Sequence, residues 1–485
     1  MRTSGRRRRG SAAFLLMAGL TAGCSTNPAT GERQISLIGE GQEVQMGQQA
    51  DPEIVASMGL YTDDAVQQYV NEIGQRLAAS SERPELPWTF RVIDDPTVNA
   101  FAVPGGFIYI TRGLMSHLTS EAQLAGVLGH EIGHVTARHS VQDMSKQQLA
   151  QLGLGLGMIL APQLQGLGNL AGAGLQVLFL KYSRDHENQA DELGVRYLRR
   201  NNYEPNQLAE VMTMLERSSE FESGSGRVPE WLATHPNPPN RVANILEAVR
   251  ATEAEASGSG TPVVRRDEYV RRLDDMVFGS NPREGYFEGT TFLHPDMRFR
   301  FDFPNGWKTV NQKTAVQGIS ENQDAMIAIT TAEGSPQQAL QKFGSDQNVQ
   351  VGSSRQTTIN RLPAVTAEFV AATEQGQLHG VVAFLTHRNL TFQLLGYTPE
   401  PRWGSYSSAL SRSIGSFAPL TDQAALSKQP ERVDVIQLPS AMTLSAFMQR
   451  YPSVEKPEIV SLINQVQGDA RLNSGSLYKR VVAGR

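Results

Sequence analysis

Cysteine is almost absent from this chain of 485 residues, and the single cysteine is Cys24. One cysteine excludes a disulfide within the chain, and it leaves the rest of the protein without thiolates for a zinc site. A zinc site in that part of the chain would have to be built from histidine and carboxylate side chains.

An excess of positive charge is also absent. The chain has 44 Lys and Arg against 49 Asp and Glu, a formal net charge of −5, and no Lys/Arg stripe alternates with aromatic residues. This pattern offers no footprint for nucleic acid. A hydrophobic content of 40% and a charged content of 19% are typical of a globular protein with a large core, and the length suits about two to four domains.

The N-terminus has the pattern of a bacterial export signal. A basic cluster, Arg6 to Arg9, precedes a short apolar run over 12–20, and small residues lead to Cys24. The apolar run is too short for an ordinary membrane-spanning helix. We therefore expect export of the chain.

The lone cysteine after this signal resembles a lipobox, in which the new N-terminal cysteine is lipidated. We predict a signal peptide over 1–23 and lipidation of Cys24, with Thr21 standing where lipoboxes usually have leucine. Ser25 after the cysteine indicates the outer membrane, and polar residues 25–33 would form a flexible tether. The alternative is an ordinary signal peptide with an incidental cysteine.

The central motif is H-E-x-x-H, formed by His130, Glu131 and His134 in an apolar run. On a helix, residues four apart share a face, so the two imidazoles can bind one metal ion. Glu131 would then take a proton from zinc-bound water. Gly129 and Gly133 each cost a helix about 1 kcal/mol relative to alanine, which suggests that another segment passes close by. The alternative is a buried helix with a chance motif.

A third zinc ligand must come from elsewhere in the chain. The extended metzincin pattern needs glycine at position 137 and histidine at 140, but the chain has Ala137 and Ser140. Downstream, Glu187 and Asp191 lie four apart on a predicted second helix. Glu187 would complete a His₂Glu site with an open position for water, and Asp191 would accept an N–H from a ligand imidazole. The alternative is a solvated acidic helix face.

Upstream, residues 43–79 have helical spacing, 88–95 alternate like a strand, and 99–110 read as strand, Pro-Gly-Gly turn and strand. An edge strand beside a zinc helix can bind an extended peptide through main-chain hydrogen bonds. The alternative is a hairpin with no such role.

Taken together, G-H-E-I-G-H-V-x-x-R-H-S, then S-R-x-x-E-x-x-A-D, then T-H-P-N-P-P-N-R resemble the zinc metallopeptidases of the HtpX and CAAX-prenyl-protease type. The exported, BepA-like lipoprotein branch is the most similar. The resemblance spans about residues 31–250. It implies a mainly helical zincin domain of gluzincin type over 24–250, one Zn²⁺ held by His130, His134 and Glu187, and Glu131 as catalytic carboxylate.

The same resemblance brings His235 and Arg241 near the metal. We expect His235 to steady the tetrahedral oxyanion or to occupy the fourth zinc position and keep the enzyme latent. A surface loop is the alternative. The candidate catalytic residues are thus Glu131, His235 and Asp191, and Arg241 supports the site or its oxyanion.

One further segment bears on access to this site. Residues 147–180 carry no charge and are rich in Gly and Leu. Polar residues near Pro162 disfavour a membrane span, so we predict two short helices packed as a lid, with membrane insertion as the alternative.

The remainder of the chain is predicted as a linker over 251–285 that contains a short charged helix and a turn from Arg265 to Gly285, an antiparallel α+β domain over 286–420 and a compact β-α-α-β module over 433–485. The α+β domain opens with F-D-F-P-x-G-W, which resembles the photosystem P-subunit and Mog-like domains. The module resembles the LysM cell-wall module, with a docking tail as the alternative. No repeat of about 34 residues is present, so a tetratricopeptide tail is absent. The fold class is therefore α+β.

The predicted function is a zinc endopeptidase of the bacterial periplasm, anchored to the outer membrane, that cleaves unfolded or misassembled envelope proteins. Its predicted partners are those substrates, the membrane through Cys24, and peptidoglycan through the C-terminal module. The alternative is a metal-stabilised chaperone or tether with little proteolysis.

Overall fold

A computed structural model describes residues 24–153, 181–223, 231, 234–235, 240–253, 260–373 and 376–484. The predicted signal peptide and most of the predicted lid over 147–180 lie outside these residues. None of the described helices combines the length and the hydrophobicity needed to cross a membrane.

Most helices lie in the first half of the chain. They are α1 (Glu40–Met58), α2 (Asp64–Ala79), α3 (Arg112–His117), α4 (Glu121–Thr136), α5 (His139–Gly153), α6 (Arg184–Arg200), α7 (Asn206–Ser223), α8 (Arg241–Ala251) and α9 (Arg266–Arg272). Side chains cap four of them: Asp63 accepts from the backbone N–H groups of Ala65 and Val66 in α2, Thr111 caps α3, Ser120 caps α4 and Ser183 caps α6. Such caps satisfy backbone donors that have no partner within the helix.

A small buried sheet lies beside α4. Its strands are β3 (Thr89–Ile93), β4 (Ala100–Val103) and β5 (Phe107–Thr111), following the short hairpin β1 (Cys24–Thr26) and β2 (Arg33–Ile35). β5 is central, with β3 parallel and β4 antiparallel to it. Gly105 and Gly106 take φ values of 88° and 99° in the β4–β5 turn, which favours glycine. The predicted strand–turn–strand is confirmed, and β4 is an edge strand.

The predicted tether after Cys24 is wrong. Residues 24–26 pair with 33–35 in the antiparallel β1–β2 hairpin. Asn27 starts the turn, because its backbone carbonyl accepts from Gly31 N–H and its side chain accepts from Ala29 N–H. Local hydrogen bonds of this kind give a polar segment a defined turn.

The predicted linker over 251–285 is wrong for most of its described part. Tyr269, Val270, Leu273 and Met276 are almost fully buried in the same hydrophobic core as α2 and α4. The Tyr269 hydroxyl donates to the carbonyl of Met115. A flexible linker does not bury such side chains, so this segment is part of the peptidase-like core.

The second half of the chain is dominated by antiparallel sheets. An eight-stranded sheet has the order β12-β14-β15-β16-β11-β10-β9, with β13 paired to β14, and a four-stranded sheet has the order β17-β8-β7-β6. The strands are β6 (Tyr286–Glu288), β7 (Thr291–His294), β8 (Phe299–Asp302), β9 (Lys308–Asn311), β10 (Val316–Ile319), β11 (Met326–Ala332), β12 (Val349–Val351), β13 (Arg355–Ile359), β14 (Leu362–Thr373), β15 (Gly376–His387), β16 (Leu390–Pro399) and β17 (Ala418–Pro419). Three helices accompany them: α10 (Pro336–Phe343), α11 (Trp403–Ser416) and α12 (Gln423–Ser427). Helices with several antiparallel sheets confirm the α+β class in its coarse form.

The C-terminal segment has the predicted strand, two helices and strand, with one additional short strand on each side of the helices. It comprises β18 (Arg432–Gln437), β19 (Met442–Thr443), α13 (Leu444–Arg450), α14 (Pro457–Ile463), β20 (Arg471–Leu472) and β21 (Leu477–Val482). Lys479 of β21 is fully buried, and its Nζ donates to the carbonyls of Ser116 and Leu118, just before α4. Leu462 and Val481 join the core that contains α4. The segment is thus packed onto the helical half of the protein.

Candidate metal centre

Two helices carry the site, and glycine lets them approach. A Cβ at Gly133 would lie 3.1 Å from the Cα of Ala190, and one at Gly129 would lie 3.4 Å from the Cα of Gly194. The close packing of α4 against α6 explains why two poor helix formers occur in the motif. It confirms the expectation that another segment passes close to it.

Four side chains of ligand type converge between these helices. His130 and His134 from α4, Glu187 from α6 and His235 each offer an atom within 4.8 Å of all the others. The Nε2 atoms of His130 and His134 are 3.1 Å apart. Glu187 Oε1 lies 3.0 Å from His235 Nδ1 and 3.4 Å from His134 Nε2. All four are at least 99% buried, so the group is shielded from bulk solvent.

The proton positions fit a cation at the centre of this group. His130 Nδ1 lies 2.9 Å from Asp191 Oδ1, and a carboxylate can only accept, so Nδ1 carries the proton and Nε2 keeps its lone pair. That lone pair faces His134 Nε2 and the Glu187 carboxylate. Imidazole nitrogens and a carboxylate oxygen are the donors that Zn²⁺ takes when no thiolate is present. His130, His134, Glu187 and His235 therefore fit a zinc ion.

Asp191 and Arg241 form a buried pair behind His130. Arg241 Nε and Nη2 donate to the two oxygens of Asp191 at 2.7 and 2.9 Å, and Arg241 Nη1 lies 3.0 Å from Glu187 Oε2. Burial raises the pKa of both carboxyl groups, but the opposing effects of Arg241 and the histidines outweigh it: the pKa of Glu187 falls well below its usual value and that of Asp191 is lowered. Both are therefore ionised at neutral pH. Arg241 therefore contacts the candidate ligand Glu187 and Asp191, the hydrogen-bond partner of His130. Among the described contacts it donates no hydrogen bond to Glu131.

Glu131 is next to the ligand group and is fully buried. Among the described residues neither of its carboxylate oxygens has a hydrogen-bond donor, and His235 Nε2 is 3.6 Å from Oε1. Burial raises the pKa of Glu131, which the nearby His235 and His130 partly oppose. An unpaired carboxylate at a metal centre is suited to accept and return a proton.

His235 is held between two aromatic rings that the sequence interpretation missed. Trp231 stacks on it at 4.3 Å between ring centroids, and Tyr182 lies 5.3 Å away while stacking on His134 at 3.8 Å. The backbone N–H of Tyr182 donates to the carbonyl of Thr234. Burial alone would lower the pKa of His235, but the carboxylates of Glu187 and Glu131 raise it. The aromatic residue four positions before His235 is the only signal of this stacking in the sequence.

The histidines of the α+β domain form no comparable group. In the described part of the chain, the His130 group is the only set of three or more His, Cys, Asp and Glu side chains close enough to hold a metal ion. Cys24 lies in β1 at the start of the described residues, and its lipidation stays a prediction.

Comparison with known proteins places this geometry in a family. Residues 64–249 match the family model of peptidase family M48. The chain therefore carries a peptidase family M48 domain. Members of this family are metallopeptidases that use zinc, and the matched range contains all four candidate ligands together with Glu131, Asp191 and Arg241.

Curated relatives match a little under half of the chain. The beta-barrel assembly-enhancing protease of Escherichia coli (strain K12) is 33% identical over 228 residues, 45% of this chain and 46% of that protein. The protein of the same name from Yersinia pestis is 32% identical over 250 residues, 48% and 50%. The mitochondrial metalloendopeptidase OMA1 of Schizosaccharomyces pombe is 30% identical over 224 residues, 45% and 65%. The chain spans about half the length of the first two relatives.

A solved structure matches about a quarter of the chain. Cyanobacterial PsbP from Synechocystis sp. PCC 6803 covers 27% of this chain and 94% of its own, with 16% identity and a TM-score of 0.24. That score carries no argument, so the expected likeness of the 286–420 domain to photosystem P-subunits stays a prediction.

Proposed function

We propose that this protein is a zinc-dependent endopeptidase of the bacterial cell envelope that cleaves unfolded or misassembled proteins. The observation that supports it most is the buried group of His130, His134, Glu187 and His235 beside the unpaired carboxylate of Glu131, within an M48 domain. A protein that only binds partners has no need of that carboxylate. The alternative of a metal-stabilised chaperone is therefore not favoured.

Each residue of the site has its own role in the proposed hydrolysis. Zinc, when bound, activates water and polarises the scissile carbonyl. Glu131 takes the proton of the attacking water and delivers it to the leaving amine. Asp191 holds the Nδ1 proton of His130 and so keeps the Nε2 lone pair of that ligand available. Arg241 fixes Asp191 with two hydrogen bonds and balances the charge of Glu187.

His235 would make the described arrangement a closed form. Three imidazoles and one carboxylate give four protein ligands, whereas a catalytic zinc site keeps one position open. Both roles fit the 3.0 Å distance between His235 Nδ1 and Glu187 Oε1: Nδ1–H can donate to the carboxylate, and Nδ1 without its proton can bind the same cation. His235→Ala separates the two roles: increased proteolysis supports latency and lost proteolysis supports catalysis, while unchanged proteolysis contradicts both.

The envelope location follows from the signal pattern before Cys24 and from relatives named for β-barrel assembly. Lipidation of Cys24 and outer-membrane anchoring are part of this proposal. Metabolic labelling with a fatty acid tests them, with Cys24→Ser as the control that should take up no label. Peptidoglycan binding by residues 433–485 is also proposed, and retention of the purified protein on peptidoglycan tests it.

The proposed activity is tested by Glu131→Gln, which removes the base but keeps the shape of the side chain. The zinc-loaded variant should bind as much zinc as the wild type and fail to cleave an unfolded substrate such as casein. The same comparison is repeated in the His235→Ala background, so that a latent enzyme is also tested. Hydrolysis that persists in the Glu131→Gln variants would remove Glu131 as the base.

A further inference from the structure

A chain of hydrogen bonds runs from the N-terminal hairpin to the zinc ligand His134. His134 Nδ1 lies 2.9 Å from His139 Nδ1, and His139 Nε2 lies 2.9 Å from Gln189 Oε1. The same oxygen accepts from Asn27 Nδ2 at 3.2 Å. His134, His139 and Asn27 are buried, with exposed fractions of 1%, 0% and 4%. None of these contacts has a role in the mechanism above.

In this series of hydrogen bonds, the donor and acceptor at each step are determined at the Asn27 end. The backbone N–H of Ala29 can only donate, and it donates to Asn27 Oδ1 at 2.9 Å. The amide of Asn27 must therefore direct its NH₂ group to Gln189. Gln189 must therefore accept through Oε1. His139 contacts the same oxygen through Nε2, so Nε2 must carry a proton and donate it.

The consequence reaches the metal ligand. A neutral imidazole that donates through Nε2 has a lone pair on Nδ1, so His139 accepts the Nδ1 proton of His134. His134 then keeps its Nε2 lone pair, which lies 3.1 Å from His130 Nε2 and 3.4 Å from Glu187 Oε1. The opposite direction would place a proton on His134 Nε2, where the cation binds.

We propose that His139, Gln189 and Asn27 are positioning residues whose hydrogen-bond relay fixes the metal-binding tautomer of His134. This inference rests on the proposed zinc site. It assigns to the β1–β2 hairpin, which begins at the predicted lipidation site Cys24, a direct effect on zinc affinity. Asp191 does the equivalent work for His130 from the other side.

The sharpest test reverses the relay without removing a side chain. In Asn27→Asp, one carboxylate oxygen still accepts from the backbone N–H of Ala29. The other oxygen replaces the NH₂ group that faced Gln189, so the Gln189 amide must rotate to donate to it. His139 then needs its proton on Nδ1, and His134 is driven to the Nε2–H tautomer. Loss of a hydrogen-bond partner of a ligand typically costs about 10-fold to 100-fold in metal affinity, and we expect a decrease at the lower end of this range.

The direction of the change in zinc affinity distinguishes the relay from a simple effect of the added charge. An added negative charge near the site should tighten the binding of a cation or leave it unchanged, but the relay predicts weaker binding. Asn188→Asp is the matched control, because it adds the same charge next to Gln189 on α6, where Asn188 pairs with Asn244 at the surface. It should leave zinc affinity unchanged.

Conservative substitutions at His139 and Gln189 should restore the zinc affinity that disruptive ones remove. His139→Leu removes the acceptor and should lower zinc affinity by about 10-fold to 100-fold, whereas His139→Asn can present a carbonyl oxygen near the position of Nδ1 and should recover most of it. Gln189→Glu keeps an acceptor and should retain affinity, and Gln189→Met should not. His186→Phe keeps the ring stacked on His139 at 4.2 Å and serves as a packing control.

The measurements are zinc affinity of the full mature chain by chelator competition and histidine-selective ¹⁵N spectra of the metal-free protein. The relay predicts an Nε2–H tautomer of His139 in the wild type and Nδ1–H in Asn27→Asp. Nδ1–H in the wild type, or zinc affinity that is equal in the wild type, Asn27→Asp and His139→Leu, would overturn it. Failure of the wild type to bind zinc would instead overturn the proposed function, while the tautomer of His139 would still report on the relay.

Discussion

Arg241 provides the most informative perturbation of the site, because it is the only arginine or lysine that contacts both Asp191 and Glu187 among the described residues. Its guanidinium makes two hydrogen bonds to Asp191 and an ion pair with Glu187, and its side chain is 0% exposed. Arg241→Met keeps the length of the side chain but leaves two buried carboxylates without this partner. Breaking a buried ion pair by removing one member costs about 3–5 kcal/mol.

This loss should depend on pH with a definite sign. Burial raises the pKa of Asp191 and Glu187, and the coulombic effects of Arg241 and the histidines bring it below its ordinary value. In the wild type, the stability contributed by these carboxylates is present above their unfolded pKa, near 4, and is lost as pH falls through the folded values. Without Arg241 the carboxylates of the variant take up protons at a higher pH. The deficit in free energy of unfolding should therefore be largest near pH 7 and shrink towards pH 4.

The assay is urea unfolding of the metal-free protein followed by circular dichroism, at pH 7 and pH 5. Added zinc should reduce the deficit, since it supplies positive charge to Glu187. Arg200→Met is the matched control: Arg200 pairs with Glu82 at the surface and is 40% exposed, and such pairs contribute about 0–1 kcal/mol. An Arg241→Met deficit below about 1 kcal/mol at pH 7, or one that grows at pH 5, would refute the reasoning.

Other consequences can be measured in the same way. Gly133→Val should separate α4 from α6 and abolish zinc binding, because a Cβ there meets backbone atoms of Ala190 at 3.1 Å; Gly126→Ala, whose Cβ would first meet Leu208 at 3.4 Å, should retain zinc. Lys479→Met should destabilise the protein by about 2 kcal/mol or more, since two buried carbonyls lose their donor, as seen in the melting temperature. Burial lowers the pKa of Lys479 well below its usual value, so wild-type stability should rise with pH between that folded value and about 10.4; a slope that persists in Lys479→Met would show that another group is responsible. Chelation of zinc should lower the melting temperature and re-addition should restore it, because the carboxylates of Glu187 and Glu131 are buried close to each other; an unchanged melting temperature would contradict a bound metal.

The parts of the site that could be predicted from sequence are those fixed by helical spacing. His130 and His134 share a face of α4 because they are four residues apart, and Glu187 and Asp191 share a face of α6 for the same reason. The glycines of the motif predicted a close neighbour, which is α6. His235 and Arg241 were expected near the metal only through family resemblance, and the described geometry brings both to it.

What the sequence could not predict depends on contacts between distant segments. Asn27 and Gln189 are 162 positions apart, and no local pattern indicates that the polar stretch after Cys24 reaches α6. The segment around Tyr269 follows a Gly- and Ser-rich stretch and was therefore interpreted as a linker, yet its apolar residues complete the core of the helical half. Both features depend on burial against distant parts of the chain, which the local composition does not indicate.

The proposed activity requires that His130, His134 and Glu187 bind one zinc ion. Metal content of the purified mature chain, measured beside Glu131→Gln, His134→Ala and Glu187→Ala, tests it directly. We expect one zinc per chain in the wild type and in Glu131→Gln, and little zinc in the other two variants. A wild type without zinc, or full zinc content in His134→Ala and Glu187→Ala, would contradict it.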